Sequence, residues 1–158
     1  MNIPNNILIP EVGRLIQQGH TVTFLVKGFS MRPFVEHCRD KVVLGRCLKV
    51  SVNDVILAKI EGGQYVLHRV IEKDNNRLTL QGDGNLTNTE HCFTSDIVGK
   101  AVGFIRKGRK AADLTNGAKW KIYSFIWLHL KFMHRYILAF YSHIWFRFIE
   151  RNNYSDES

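Results

Sequence analysis

The sequence predicts a mainly β domain of the α+β class, with a short N-terminal helix and a C-terminal amphipathic helix. Short runs rich in β-branched and aromatic residues, separated by polar turns, fill residues 21–106. No helical segment alternates with these runs, which argues against a doubly wound sheet. Beyond residue 118, apolar residues recur every three or four positions, which is the spacing of a helix face.

Composition limits the number of domains and the kinds of site. With 158 residues, the chain is long enough for one domain with a hydrophobic core and an appendage. Its three cysteines cannot all pair and lack C-x-x-C spacing, so we expect neither a disulfide framework nor a zinc site. Residues 1–99 contain 11 Lys/Arg and 10 Asp/Glu, whereas residues 100–158 contain 11 and 4. This C-terminal excess of positive charge indicates an anionic partner, either lipid or nucleic acid.

Residues 1–20 are predicted to form the N-terminal helix. Apolar residues between Asn5 and Gln18 have helical spacing, interrupted by Pro10, and Gly19 marks the end. No basic segment followed by an apolar core of 7–15 residues begins the chain, so we expect neither a secretory signal nor an N-terminal membrane anchor.

Residues 21–106 are predicted to form the β-domain, as an antiparallel or mixed sheet that is closed or nearly closed. Polar, glycine- or asparagine-rich turns separate its strands at residues 61–64 and 74–76. The six predicted strands are Thr21–Val26, Lys41–Leu44, Asp54–Ile60, Tyr65–Ile71, Arg77–Gln81 and Ile97–Ile105.

Three segments are predicted after the β-domain: a hinge at 107–118, an aromatic and basic amphipathic helix at 119–151, and a polar tail at 152–158. The longest part of this helix without Lys or Arg, Tyr136–Phe146, is shorter than the about 20 apolar residues that a membrane span needs. We expect the helix to lie at a membrane surface. Packing on protein is the alternative, and nucleic acid is not expected. The predicted apolar face consists of Ile122, Ile126, Leu130, Met133, Ile137, Phe140, Ile144 and Phe148.

Three polar residues could supply nucleophilic catalysis. Ser30 lies in a turn bounded by Gly28 and Pro33, and His68 lies in a predicted strand. Asp83 follows in a second glycine-rich turn. A serine hydroxyl needs a neighbouring base to remove its proton, and a histidine base needs a carboxylate or a similar group to orient it. The sequence therefore predicts Ser30 as nucleophile, His68 as base and Asp83 as the supporting acid or as a turn-forming residue.

The three motifs resemble those of one peptidase superfamily. G-x-S-M-x-P at residues 28–33, H-R-V at 68–70 and G-D-x-N at 82–85 are similar to the type I signal peptidases and their LexA-like relatives. His68 resembles the histidine that the endoplasmic-reticulum branch has at this position, where most bacterial members have Lys. The resemblance runs from Thr23 to Phe104, about half of the chain. It implies a coiled β-fold, an acyl-enzyme mechanism without cofactor or metal, and a peptide substrate bound as an extended strand.

The resemblance also assigns expectations to neighbouring residues. Gly28 has no hydroxyl to stabilise the oxyanion, so backbone N–H groups, including that of Ser30, are expected to do so. Met31 and Pro33 correspond to pocket-lining and turn-setting positions. Glu90 is a possible second acid in place of Asp83. Arg32 and Arg69 are expected to face solvent or to form ion pairs, without a chemical role.

The expected function is therefore a serine endopeptidase of the signal peptidase type that cleaves a leader or signal-like peptide. The expected location is peripheral membrane, with the cytoplasmic face favoured because no export signal is recognised. Two alternatives remain open. The chain could be a cytoplasmic-side leader peptidase or a self-processing LexA-like protein, or it could be a non-catalytic module that binds peptides on the same fold.

Overall fold

A computed structural model describes residues 5–28, 30–32, 35–85, 87–109, 111–129, 136 and 139–140. Eight strands form one sheet, with a helix at either end of the described chain. The elements, in order, are α1 (Asn5–Gln17), β1 (Val22–Leu25), β2 (Lys41–Gly45), β3 (Val55–Lys59), β4 (Tyr65–Asp74), β5 (Arg77–Gln81), β6 (Glu90–Phe93), β7 (Ile97–Ile105), β8 (Asp113–Leu114) and α2 (Ala118–His129).

The sheet is antiparallel at every described pairing and curls into a half-barrel. Its strand order is β1-β2-β7-β3-β4-β5-β6, and β8 also pairs with β7. The mainly β class is therefore confirmed. Hairpins join β3 to β4 and β4 to β5, while the long connection between β1 and β2 leaves the sheet and carries Ser30.

Two strands were not predicted from the sequence. β6 has only four residues and includes Glu90 and His91, so no apolar alternation marks it. β8 has two residues and lies within the predicted hinge at 107–118, where Thr115 also donates a hydrogen bond of 2.9 Å to the Ala101 carbonyl. Pairing with β7 therefore attaches part of this hinge to the sheet.

The N-terminal helix ends as the sequence predicts. Gly19 has a φ of +93°, a left-handed conformation that glycine adopts without strain. The Gly19 and His20 N–H groups donate to the carbonyls of Ile16 and Leu15, which is the Schellman pattern. Ile16 is buried against β7, where a side chain on Gly99 would lie 2.8 Å from its Cδ1 atom.

The sheet has an apolar cluster on each face. Successive side chains of a strand point to opposite faces, so β3 contributes Leu57 to one cluster and Ile56 and Ala58 to the other. The first cluster lies beneath α1 and includes Trp120 of α2. The second is formed by β3, β4, β5 and β6 with the residues before β3, namely Val50, Ile56, Ala58, Val70, Leu78, Leu80 and Cys92.

Helix α2 packs on the sheet through a different face from the predicted apolar one. Trp120 and Ser124, one turn apart, are buried, whereas Ile122 is 58% exposed and Ile126 is 43% exposed. The reason is that the Ser124 hydroxyl accepts a hydrogen bond from the buried side chain of Arg69. Its polar group therefore has a partner inside the protein. The predicted face beyond His129 lies outside the described residues, apart from the exposed Phe140. Within the described part of the chain, no helix has the length and apolar character to cross a membrane.

Candidate active site

Ser30 lies in the connection between β1 and β2, and backbone hydrogen bonds close the base of that connection. Val26 N–H donates to the Asp40 carbonyl at 3.0 Å, and Cys38 N–H donates to the Val26 carbonyl at 2.8 Å. Met31, directly after Ser30, is 1% exposed and belongs to the first apolar cluster. Its burial anchors the loop in the core while Ser30 stays partly accessible. Pro33 lies outside the described residues.

The Asp40 side chain fastens the same loop to the rest of the sheet. Its carboxylate accepts hydrogen bonds from the Glu36 backbone at 3.0 Å and from the Arg39 side chain at 2.9 and 2.8 Å. Burial acts to raise the pKa of Asp40, but the hydrogen bonds and positive charge of Arg39, with the backbone N–H groups of Glu36 and Lys107, bring this pKa below its usual value. The charged carboxylate therefore stabilises the folded loop.

Gly28, two residues before Ser30, has a φ of +109°, so a side chain there would be strained. Its N–H donates to His37 Nδ1 at 2.7 Å. This bond requires an unprotonated Nδ1 atom and places the proton of a neutral ring on Nε2. His37, which the sequence did not single out, thus holds the start of the serine turn. The Gly28 N–H is therefore already engaged by this imidazole.

His68 projects from β4 and is buried beside a carboxylate. Its Nδ1 atom lies 2.8 Å from Glu90 Oε2. Strand register explains this contact, because Glu90 of β6 is paired with Leu80 of β5, and Leu80 is paired with Val70 of β4. Residues directly opposite each other share a face of the sheet, and His68 is two residues from Val70 on that same face.

The contact with Glu90 also fixes the role of each imidazole nitrogen. A carboxylate only accepts hydrogen bonds, so Nδ1 of His68 must carry a proton. In a neutral ring the Nε2 atom is then free to accept a proton. This is the arrangement required of a general base, and it pairs His68 with Glu90.

Gly82 lies between Ser30 and His68, in a space too small for a side chain. A Cβ atom on Gly82 would lie 2.9 Å from the Ser30 Cβ and 3.1 Å from His68 Nε2, so these two atoms are neighbours across the glycine. The Gly84 N–H also donates to the Ser30 carbonyl at 2.7 Å. The described hydrogen bonds include none between the Ser30 hydroxyl and His68.

Asp83 is joined to Arg69 and not to His68. The Arg69 guanidinium donates from Nε and Nη2 to the two Asp83 oxygens, both at 2.7 Å. Arg69 is opposite Gln81 in the β4–β5 register, and Asp83 is two residues further on, which accounts for the meeting. Both side chains are almost inaccessible, at 1% and 2% exposure. The sequence left Arg69 as solvent-facing or ion-paired, and the structure places it in a buried ion pair.

Arg69 is also held from the opposite side. Its Nη1 donates to the Asn53 carbonyl at 3.0 Å and to the Ser124 hydroxyl of α2 at 2.8 Å. The guanidinium carbon lies 5.3 Å from the centre of the Trp120 ring, within the range of a cation–π contact. Trp120 in turn stacks on Phe104 with ring centres 4.8 Å apart.

The cysteine thiols and the potential metal ligands of the described residues can be compared with the Ser30 site. Burial, followed by the charges of Asp96 and Glu61, raises the pKa of the Cys92 thiol to about 11, so this group is a neutral thiol at pH 7. The described residues contain no cluster of three or more His, Cys, Asp or Glu able to hold a metal ion. None of the three cysteines forms a disulfide, and Cys38 Sγ lies 3.1 Å from His37 Nε2.

No protein-family model matches the chain, and no curated protein sequence matches it significantly. The local geometry of Ser30, His68 and Glu90 is therefore the main physical evidence about function.

Replacement of Gly82 by alanine tests the closeness of Ser30 and His68. We expect Gly82→Ala to force the two turns apart, because the new methyl group would lie 2.5 Å from the Ser30 carbonyl oxygen. Overpacking of this kind costs about 1–3 kcal/mol of unfolding free energy. Urea denaturation measures this loss. The control is Gly62→Ala, where the methyl group meets open space. Equal stability of the two variants would contradict the described packing.

Acid titration tests the Asp40 anchor. We expect Asp40→Asn to lower the unfolding free energy at pH 7 by about 1.5–3 kcal/mol, since hydrogen bonds to a charged group are lost. The pKa of Asp40 is lowered on folding, so its stabilisation is present above the unfolded value of about 3.9 and is lost as pH falls through the folded value. The difference from wild type should therefore shrink below about pH 4.

Urea unfolding at a series of pH values measures this difference. Exposed Asp74 supplies the control Asp74→Asn. A wild-type advantage over Asp40→Asn that is independent of pH would refute the ionic role of this carboxylate.

Proposed function

We propose that the chain is a serine endopeptidase of the signal peptidase type, which hydrolyses a leader or signal-like peptide. The observation that carries this proposal is the 2.8 Å contact between His68 Nδ1 and Glu90, with His68 Nε2 left beside Ser30. Acyl transfer by a serine requires a nucleophile beside a base, with a carboxylate that orients the base. The mainly β half-barrel and the three local motifs agree with the coiled β-fold of that superfamily.

The proposed reaction proceeds in two halves. Ser30 Oγ attacks the scissile carbonyl carbon as His68 Nε2 takes the hydroxyl proton, and Glu90 stabilises the imidazolium that forms. Backbone N–H groups of the serine turn stabilise the oxyanion. His68 then gives the proton to the leaving amine, which leaves an acyl ester on Ser30. Water, deprotonated by the same imidazole, hydrolyses the ester and restores the serine.

The two acids have separate roles in this proposal. Glu90 orients the base, because it is the carboxylate in hydrogen-bond contact with His68. Asp83 holds the Gly82–Asn85 turn through Arg69, because both of its oxygens are used by the guanidinium. This division gives Asp83 a supporting function and removes it from the proton transfer.

The substrate would bind as an extended strand. Among the described strands, β1 pairs with β2 alone, so one of its edges is available to a peptide backbone. β1 also leads directly into the turn that carries Ser30. Addition of a peptide to such an edge uses main-chain hydrogen bonds and therefore suits substrates that share little sequence.

A membrane surface is the proposed location. Helix α2 exposes Ile122, Tyr123, Phe125 and Ile126, and Tyr136 and Phe140 further on are also exposed. Residues 100–158 have 11 basic and 4 acidic side chains. Aromatic and aliphatic groups surrounded by basic residues suit the headgroup region of anionic lipid.

A non-catalytic peptide-binding module on the same fold is the second candidate. The observation that favours it is the lack of a described hydrogen bond between Ser30 and His68. Catalytic hydrogen bonds commonly shorten only when substrate binds, so the peptidase remains the better-supported proposal.

Cleavage profiling of a mixed peptide pool tests the peptidase. We expect wild-type protein to cut after small residues, and Ser30→Ala and His68→Ala to abolish these cuts. Glu90→Gln should lower kcat by roughly 10²- to 10⁴-fold, because the imidazolium loses its charged partner. Mass spectrometry identifies the products.

The outcomes separate the candidate functions. No cuts by the wild type, with retained peptide binding, would favour the binding module. A shortened form of the chain itself, absent in Ser30→Ala, would indicate self-processing. Cuts that persist in Ser30→Ala would refute the proposed nucleophile.

Flotation with vesicles tests the membrane proposal. We expect the full chain to float with anionic phosphatidylserine-containing vesicles and the Ile122→Ser/Phe125→Ser variant to lose at least about tenfold in binding, since two apolar side chains no longer enter the lipid. Leu48→Ser is the control, because Leu48 is exposed but distant in sequence from α2. Equal flotation of both variants would exclude α2 as the lipid contact.

A further inference from the structure

Helix α2 is connected to the serine and histidine by a continuous series of described contacts. The Ser124 hydroxyl accepts a hydrogen bond of 2.8 Å from Arg69, and Arg69 binds both oxygens of Asp83 at 2.7 Å. Asp83 belongs to the turn whose Gly84 N–H donates to the Ser30 carbonyl at 2.7 Å. The neighbouring Gly82 lies against both Ser30 and His68.

We propose that Ser124 and Trp120 are positioning residues of the active site, and that docking of α2 sets the separation of Ser30 and His68 through Arg69 and Asp83. This inference rests on the proposed peptidase function for its kinetic consequences. The motif resemblance covers residues 23–104. The inference gives a role in the active site to α2, which lies outside that range.

The contact between Ser124 and Arg69 is buried, so its loss should affect the position of the guanidinium. Ser124 is 3% exposed and the Arg69 side chain is 1% exposed, so the hydrogen bond between them is shielded from water. A buried donor that loses its acceptor retains the full cost of desolvation. The guanidinium would then move toward another acceptor, and the bidentate geometry with Asp83 would move with it. Trp120 limits such movement, because its ring covers the guanidinium and is itself stacked on Phe104.

The Gly82–Asn85 turn has little space in which to accommodate a movement of Asp83. Gly82 already approaches Ser30 and His68 so closely that a methyl group would not fit. A displacement of Asp83 is therefore passed to the Gly84 hydrogen bond and to the two reacting side chains. The expected defect is in the chemical step, since the peptide-binding edge of β1 is not part of this series.

Two independent readouts test the proposal on the full-length protein. Hydrogen exchange at the Gly84 amide, measured by NMR, reports the bond to Ser30 directly. We expect Ser124→Ala to lower Gly84 protection about tenfold, the equivalent of one net hydrogen bond, and to lower kcat on the best peptide of the pool by a similar factor with KM unchanged. Ser124→Thr keeps the hydroxyl and should restore both values.

The control is Ser95→Ala, the same chemical change at an exposed serine outside the series. If Ser124→Ala and Ser95→Ala give the same Gly84 exchange and the same kcat, the positioning role is refuted. A loss in Ser124→Ala that Ser124→Thr does not restore also refutes it, because the hydroxyl would then not be the relevant group. If the wild type cuts no peptide but Ser124→Ala weakens Gly84 protection, positioning is supported and the peptidase proposal fails. Trp120→Leu should reproduce the Ser124→Ala pattern, since it removes the ring above the guanidinium.

Discussion

The buried ion pair of Arg69 and Asp83 is the interaction on which the candidate site depends. A charged pair inside a protein stabilises the fold only if its remaining hydrogen-bonding groups also find partners. Arg69 meets this condition with the Asn53 carbonyl, the Ser124 hydroxyl and the Trp120 ring. Together with Asp83, these partners come from three separate parts of the chain. The requirement to satisfy one guanidinium thus brings together the turn before β3, the turn after β5 and helix α2.

Alternation along β4 lets neighbouring residues serve different purposes. His68 points to the face that carries Leu80 and Glu90, whereas Arg69 points to the face that carries Trp120. His68, the proposed base, and Arg69 can therefore each have a carboxylate partner without competing for it. If the two residues shared a face, the guanidinium would be close to His68 and would oppose the protonation of the imidazole that the proposed reaction requires. The period of two in a strand keeps these charges on opposite sides of the sheet.

The sequence predicted those features that depend on local pattern. Six of the eight strands and α1 followed from alternation, helical spacing and the glycine at position 19. The pairing of His68 with Glu90 could not be predicted in the same way, because it depends on two successive strand registers and on β6, whose four residues have no clear pattern. The burial of Ser124 was also missed, since this residue is not on the predicted apolar face and the helical spacing gives no sign of its contact with Arg69. The sequence shows that Arg69 follows His68 directly. It does not show that Arg69 binds Ser124, which is 55 positions away.

The position of α2 after all eight strands in the sequence has a consequence for the order in which the site is assembled. A nascent chain emerges N-terminal end first, so the β-domain can fold before residues 118–129 leave the ribosome. Until then, Arg69 lacks the Ser124 hydroxyl and the indole cover, and its pair with Asp83 is open to water. A site that needs α2 would remain poorly assembled during synthesis and become competent only after α2 has emerged and docked on the sheet. For the proposed peptidase, such a delay would spare the growing chain and its neighbours from early cleavage.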